Sequence, residues 1–382
     1  MFRYLKKKMH QMIDQRMNNN FLKFEWLSAD SIVNEKPKSD KRIVFVVPPM
    51  AKGAGGITSI LRLGTYLNNN GHDVFYAIHE CFDYEDQYEK AKACLENFSG
   101  KIISFEEAKS ESFDIVIATE IISVYYAKKL SGYKMIFVQD YEPLFFNTGD
   151  YSCIAEKVYT MGFHLVSLGE WNKYMIEKNI KDNVKIDTIP FPYEKKEYTY
   201  KNRNYNELKN KKELQMCVYI RNTPRRMPGF CQLIAKKLTE KFREDGVTLK
   251  VVYYGEDTLK YKYGENLGKL TKIQLNKLYQ DSDFGLVASG TNISLVPYEM
   301  LATGLPIIEF KNGSFPYFFS EEDAFLFDLN YDKLYEEIKY AINNPQILID
   351  RDKRIQEKLG TLSWDDSAKE FCKILTNIIN NG

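Results

Sequence analysis

Three arginines stand within six residues in Arg221-Asn222-Thr223-Pro224-Arg225-Arg226, directly after the apolar run Met216 to Ile220. Guanidinium forks meet phosphate oxygens two at a time, so Arg221, Arg225 and Arg226 at the mouth of a buried strand suit a diphosphate. A second group lies downstream. There Leu295 to Phe310 places Glu299 one turn inside a helix that ends at Gly304-Leu305-Pro306, and a buried strand follows at once. Ahead of it, Phe284 to Ala288 runs into Ser289-Gly290-Thr291-Asn292, giving the order strand, polar loop, helix, Gly-Pro turn, strand. Backbone N–H groups around Ser294 and Leu295, next to Thr291 and Asn292, would be unpaired donors at the positive end of a helix dipole. Glu299 can accept two hydroxyl protons at once, as a ribose 2′,3′-diol offers them. A helical glutamate also serves as a cap or as partner to a basic neighbour, and spacing alone leaves both readings open.

Carboxylates form a third group. Gln139-Asp140-Tyr141-Glu142-Pro143 directly follows the run Met135 to Val138, with Phe145, Phe146 and Gly149 after it. Side chains at the carboxyl end of a strand point into the crevice where open α/β sheets bind ligands. Asp140 and Glu142 there either meet the hydroxyls of a sugar or form a solvated acidic turn stopped by Pro143. The loop Gly53-Ala54-Gly55-Gly56 is neither the dinucleotide fingerprint nor a P-loop. Gly55 and Gly56 can still let the backbone approach a bound group closely. No metal site is expected: Asp281-Ser282-Asp283 reads as a helix terminus and turn, and His10, His72, His79 and His164 lack ligand spacing. His164 reads as structural or as lining the crevice.

The elements that must position these groups alternate regularly. Ile43 to Val47, Val74 to Ile78, Ile102 to Phe105, Ile115 to Ala118 and Met135 to Gln139 are short apolar runs between helical segments. A second series comprises Met216 to Ile220, Leu249 to Tyr254, Phe284 to Ala288 and Leu305 to Phe310. Near-continuous apolar strands separated by helices make a doubly wound parallel sheet, and here there are two such series. At 382 residues the chain has room for two domains. Between Lys195 and Glu213, Lys, Asn, Tyr and Glu dominate, and the stretch reads as an interdomain linker.

The charge balance, 53 Lys+Arg against 52 Asp+Glu, gives no global basic field and argues against a nucleic-acid partner. Six scattered cysteines without a Cys-x-x-Cys pair fit a reducing cytoplasm. No apolar stretch approaches the roughly 20 residues needed to span a bilayer. Residues 1–17 place Phe2, Leu5, Met9, Met12 and Ile13 at helical spacing among Arg3, Lys6, Lys7, Lys8 and Arg16. Such a stretch either lies on an anionic membrane surface or packs on its own domain or on a second copy in a homodimer.

Two Rossmann-like domains bearing these groups make a diphosphate cleft, for which a nucleotide-sugar is the economical ligand. Four stretches carry a resemblance in order: Gly55-Gly56-Ile57; Gln139-Asp140-Tyr141-Glu142-Pro143 with Phe145 to Gly149; Tyr159-x-x-Gly162-Phe163 with Gly169-x-Trp171; and Leu267-Gly268-x-Leu270 through Pro306. Over roughly residues 40 to 375 the chain resembles the GT-B glycosyltransferases of glycosyltransferase family 4, most closely the rhamnosyltransferase-like branch of bacterial surface-glycan synthesis. The resemblance implies an α/β fold of two facing Rossmann-like domains with a C-terminal helix crossing back to the first. It divides the chain into an extension over 1–40, an acceptor domain over 41–194 completed by 362–382, and a donor domain over 195–361.

The resemblance implies Arg221 with Arg225 or Arg226 on the donor diphosphate, Glu299 on the ribose, and a glycan or lipid-linked saccharide as acceptor, without a cofactor. It further implies retention of anomeric configuration, with front-face transfer that needs no enzymic base; were the reaction inverting, Asp140 or Glu142 would serve as base. One departure matters. The family carries a second glutamate eight residues before Glu299, where this chain has Thr291. Its absence is compatible with a 6-deoxy donor such as dTDP-L-rhamnose and equally permits another sugar. The rival readings are a GT-B scaffold that binds glycan or partner without transfer, and a nucleotide-sugar epimerase, which would convert donor with no acceptor present.

Overall fold

The computed structural model describes residues 30–80, 84–182, 184–257 and 261–381. The basic stretch at 1–17 lies outside them. The first sheet holds seven parallel strands: β1 Arg42–Val47, β2 Asp73–Ile78, β3 Lys101–Ser104, β4 Ile115–Ala118, β5 Tyr133–Val138, β6 His164–Leu168 and β7 Ile186–Ile189, in the spatial order β3-β2-β1-β4-β5-β6-β7. The second holds six, β8 Glu213–Tyr219, β9 Thr248–Tyr254, β10 Glu265–Asn266, β11 Phe284–Leu286, β12 Ile307–Phe310 and β13 Phe325–Phe327, ordered β10-β9-β8-β11-β12-β13 and again parallel. Helices cover both faces of each sheet, which is why Ile43 to Val47 and Ile115 to Ala118 are apolar without alternation and fully buried.

The apolar runs read from the sequence become strands with ends shifted by no more than three residues, while β6, β7, β10 and β13 are additions. β7 carries Asp187 and Thr188 and β13 is three residues long, too polar or too short to register as an apolar run. β3 stops at Ser104 because that residue caps the helix Phe105–Ser110, accepting from the Glu107 amide while Glu107 accepts from the Ser104 amide.

The helix Trp364–Asn381 returns to the first sheet. Ala368, Phe371, Leu375 and Ile378 are buried in one core with Ile57, Ile60 and Leu61 of the helix Gly55–Asn69, and Phe371 meets Phe137 of β5 edge to face at 6.5 Å. Composition suggests a loose linker between Lys195 and Glu213, but this stretch is packed. Tyr198, Tyr205 and Leu208 are buried, and the Tyr205 hydroxyl donates to the Gly304 carbonyl at 2.7 Å. Tyrosine rings supply the apolar area that aliphatic residues supply elsewhere. Between the two halves Gly169 has φ +85°, and a Cβ there would lie 2.3 Å from the Phe318 ring. Only glycine allows the second half to close this near to the strand ends of the first.

Candidate functional site

The carboxyl ends of both sheets face one cleft of about 600 Å³. On the second-domain wall, β8 leads through Ile220 into Arg221, which is exposed and carries no hydrogen bond or ion pair among the described residues. Arg225 and Arg226 follow on the single turn Pro224–Arg226. Met227 then takes a left-handed conformation, φ 46°, to swing the chain into the helix Pro228–Glu244, a strain on the order of 1–3 kcal/mol for a non-glycine residue. The Gly290 amide donates to the Arg225 carbonyl at 3.1 Å, and a Cβ at Gly290 would come within 2.9 Å of that oxygen. The arginine turn and the loop Ser289 to Asn292 are therefore one surface.

Behind it, Glu309 accepts from the Ser289 amide and hydroxyl at 2.7 and 2.9 Å and from the Phe310 amide at 2.8 Å, while burial pushes its carboxyl up to about 7. Burial lowers the Arg226 guanidinium, which also interacts electrostatically with Glu309, and its Nη1 is enclosed without a hydrogen-bond partner. The helix Leu295–Ala302 opens onto the cleft at Ser294, whose hydroxyl is likewise enclosed and unpartnered. One turn on, Glu299 accepts from the Tyr279 hydroxyl at 3.4 Å and from Tyr198. Burial pushes Glu299 up to about 7 against the opposing pull of the Tyr198 bond.

The first-domain wall is different. Gly53 turns at φ +68° and the helix Gly55–Asn69 begins. A Cβ on Gly55 would meet nothing within 4 Å, and one on Gly56 would reach the Gln139 side chain at 3.5 Å, so bare backbone lines this side. Glu142 accepts from the Ile121 amide at 3.2 Å; burial, and then the neighbouring Glu120, pushes its carboxyl well above the usual range. Glu120 stands two residues after β4 and caps the helix Ile121–Ala127, accepting from the Ser123 amide at 2.8 Å, the Ile122 amide at 3.0 Å and His79 Nε2 at 2.9 Å.

The walls meet at Asp140. Its Oδ1 accepts from the Tyr141 amide at 2.9 Å and from the Asn292 amide at 3.0 Å, its Oδ2 from the Thr291 hydroxyl at 2.8 Å and from Arg225 Nη1 at 3.3 Å. The Asn292 side chain donates to the Gln139 carbonyl at 2.7 Å and the Leu168 carbonyl at 3.1 Å. Arg225 also lies over the Phe145 ring at 4.2 Å. Burial raises the Asp140 carboxyl, against the Asn292 bond and the Arg225 charge. A carboxylate has about four lone-pair sites, and four donors occupy those of Asp140. It therefore has no open lone pair, in this arrangement, for the base role that an inverting reaction would give it, and it joins the domains.

Of the residues singled out in sequence, Gly55, Gly56, Asp140, Glu142, Arg221, Arg225, Arg226, Asn292, Ser294, Leu295 and Glu299 line the cleft. Thr291 sits behind it with its hydroxyl spent on Asp140. His164 lies at the other end of its strand, between Asp187 at 2.7 Å and Tyr133 at 3.1 Å. Asp283 binds Lys211 at 2.5 Å and the Gln215 amide at 2.9 Å. Both are structural. Sequence reading missed Glu120, its partner His79, and Tyr198 and Tyr279 around Glu299. The position of Glu120 two residues after the apolar run Ile115 to Ala118 was the available signal.

No protein-family model matches the chain. Among solved structures, a glycosyltransferase from Rickettsia africae superposes with TM-score 0.67 at 15% identity, over 90% of this chain and 100% of its own. Anabaena Alr3699/HepE, in complex with UDP and glucose, superposes with TM-score 0.65 at 10% identity, over 88% and 100%. The fold is GT-B. In sequence, the O-antigen biosynthesis protein RfbC of Myxococcus xanthus is 23% identical over 278 residues, 70% of this chain and 21% of that protein, so the GT-B chain spans about a fifth of the relative's length. No helix among the described residues is long and apolar enough to cross a membrane.

Proposed function

We propose that this chain is a glycosyltransferase that moves a sugar from a nucleoside-diphosphate donor to a growing surface polysaccharide or lipid-linked saccharide. The observation that carries the reading is the second-domain wall, where Arg221, Arg226 and Ser294 line one cleft beside Glu299, Arg221 being free and the enclosed Arg226 Nη1 and Ser294 hydroxyl lacking partners. Buried donors without partners are rare in a native fold, and a diphosphate supplies the acceptors they lack. Glu299 takes the ribose diol. The name of the Myxococcus relative supports a surface polysaccharide as the product.

The donor in this reading is dTDP-L-rhamnose. Thr291 stands where the family carries a carboxylate and turns its hydroxyl to Asp140, so this loop offers the donor sugar no acid of its own. Transfer proceeds with retention and without metal. The C1–O bond to the diphosphate breaks as Arg221, Arg226 and the helix amides hold the departing charge. The acceptor hydroxyl then attacks from the same face, and its proton passes to the departing diphosphate oxygen. The occupied lone pairs of Asp140 support a path without an enzymic base. Work in the cytoplasm, with residues 1–17 against an anionic membrane surface, fits an acceptor carried on lipid.

Titration calorimetry with dTDP, UDP and GDP tests the reading. One nucleoside diphosphate should bind, and Arg221→Ala and Glu299→Ala should each weaken it by about tenfold or more, the cost of a charge-assisted hydrogen bond. Absence of binding by all three would overturn it.

A further inference from the structure

We propose that the second domain carries a further ligand site, away from the cleft, where Arg351 and Lys311 hold a small hydroxylated monocarboxylate. A cavity of about 290 Å³ lies between β13, the edge strand of the second sheet, and the helices Tyr331–Asn343 and Gln346–Leu359, and it shares no lining residue with the cleft. Arg351 lines this cavity and is only 9% exposed. Its guanidinium makes no hydrogen bond or ion pair among the described residues. Nε and Nη1 are enclosed without partners, which leaves Nη2 to face the cavity. The Phe325 ring, 4.3 Å from the guanidinium carbon, covers one face of the plane but supplies no acceptor at its edge. Asp323 attracts Arg351 electrostatically, yet its oxygens are spent elsewhere, Oδ2 on the Ser320 amide at 3.0 Å and Oδ1 on Arg354 at 3.4 Å. Burial accordingly pushes the Arg351 guanidinium down to about 10. A buried charge without hydrogen bonds costs stability, and an anion in the cavity offsets that cost.

The surrounding charges choose the anion. Lys311 lines the cavity with its ammonium unpaired among the described residues, whereas Lys333 is paired with Glu337 at 3.6 Å. Glu321 and Asp328 line it too, so Arg351 and Lys311 face two acids, and a phosphate ester near −2 would bring an excess of negative charge. A single carboxylate, reached through Nη2, compensates the whole delocalised guanidinium. Hydroxyls on the same molecule can donate to Glu321 and Asp328. Tyr340, 63% exposed, adds a ring on which the C–H groups of a sugar can lie. The volume is at the small end of ligand sites, roughly 300–1,000 Å³, and admits one ring rather than a nucleotide or an oligosaccharide. A uronic or aldonic acid has this combination of charge, hydroxyls and size.

Titration calorimetry on the full chain gives the test, with D-glucuronate, D-gluconate, D-glucose and D-glucose 6-phosphate as probes. At least one carboxylate should bind, and D-glucose should be weaker by about tenfold or more, the loss of a charge-assisted hydrogen bond. The phosphate ester should also bind more weakly than the carboxylate. Arg351→Met keeps length and the contact with Phe325 while removing the charge. It should abolish carboxylate binding, and the ligand-free melting temperature should hold or rise because an uncompensated buried charge is gone. Lys311→Met, at an exposed position, should weaken binding several-fold with the melting temperature unchanged. Failure of both carboxylates to bind, equal affinity for D-glucose, tighter binding of the phosphate ester, or full affinity in Arg351→Met would each overturn the site. A fall in the melting temperature of Arg351→Met would overturn it as well, by assigning the guanidinium to the fold.

Discussion

The second-domain wall presents arginine and unpartnered donors, while the first-domain wall presents glycine backbone and carboxylates, although both are carboxyl ends of parallel sheets. The contrast comes from the loops, which the sheets only aim. After β8 the chain spends three arginines and a strained Met227; after β4 and β5 it spends Glu120, Asp140 and Glu142. Of these three acids it is Asp140 that hydrogen-bonds across to the other wall. It uses its negative charge to hold Arg225, Thr291 and Asn292, so opposite walls are drawn together by the same polarity that divides their roles.

The largest expected effect is on the cationic wall. Arg221→Ala should lower transfer by about 10²–10³-fold, the loss seen when one preorganised donor to a developing anion is removed. Glu120→Gln should leave hydrolysis of the donor by water intact while transfer to saccharide falls. Equal damage to hydrolysis and transfer by both variants, measured as nucleotide release with and without acceptor, would erase the division of labour between the walls.

Next comes the clasp. Asp140→Asn weakens the pair with Arg225 and turns one of the carboxylate oxygens into a donor facing Thr291 or Asn292. Because Arg225 is partly solvated, the cost is on the order of 1–3 kcal/mol rather than that of a fully buried pair. X-ray scattering should report a more open chain and thermal unfolding a lower midpoint. Thr291→Val, which removes one neutral donor, should cost about 1 kcal/mol. An unchanged scattering profile in Asp140→Asn would mean that the domains are held by apolar contacts such as Phe318 on Gly169 instead.

How far the sequence reveals this molecule follows from the range of each interaction. Buried parallel strands announce themselves locally, because both faces are covered and Ile43 to Val47 must all be apolar. The helix carrying Glu299 is equally local, bounded by a polar loop and a Gly-Leu-Pro corner. The clasp is not local: Asp140 and Thr291 are 151 residues apart and neither is unusual in its own segment. Tyr198 was hidden for another reason. It sits in a stretch whose polar composition reads as linker, while its ring is buried and its hydroxyl serves Glu299. His79 carries no metal-ligand spacing, and its importance depends on Glu120, which lies on a different strand end.

A smaller effect concerns pH. Glu299 is raised by burial to about 7, so the carboxylate that accepts two hydroxyls is the minor form below that value and the major form above it. Nucleoside-diphosphate affinity should therefore rise with pH through this range, by up to about tenfold per unit on the acid side. The part of the rise that Glu299 carries should be lost in Glu299→Gln, leaving only the part that belongs to the terminal phosphate of the nucleotide. Calorimetry at matched ionic strength separates this from screening of the arginines, and a flat profile in the wild-type chain would remove Glu299 from the ribose.

The smallest effect tests whether the bare backbone of the first wall exists for a ligand. Gly55 begins its helix with an ordinary φ, and a Cβ there would meet no atom within 4 Å, so Gly55→Ala has no steric cost to the fold. It also restricts the unfolded chain and improves helix propensity, which together favour folding by about 0.4–1 kcal/mol. The melting temperature should rise slightly. If the glycine admits a bound group close to the backbone, the added methyl occupies that space and binding weakens a few-fold despite the gain in stability. Opposite signs for stability and affinity are the signature of a residue kept for its ligand. A rise in melting temperature with affinity unchanged would show that the ligand keeps to the cationic wall and never approaches Gly55.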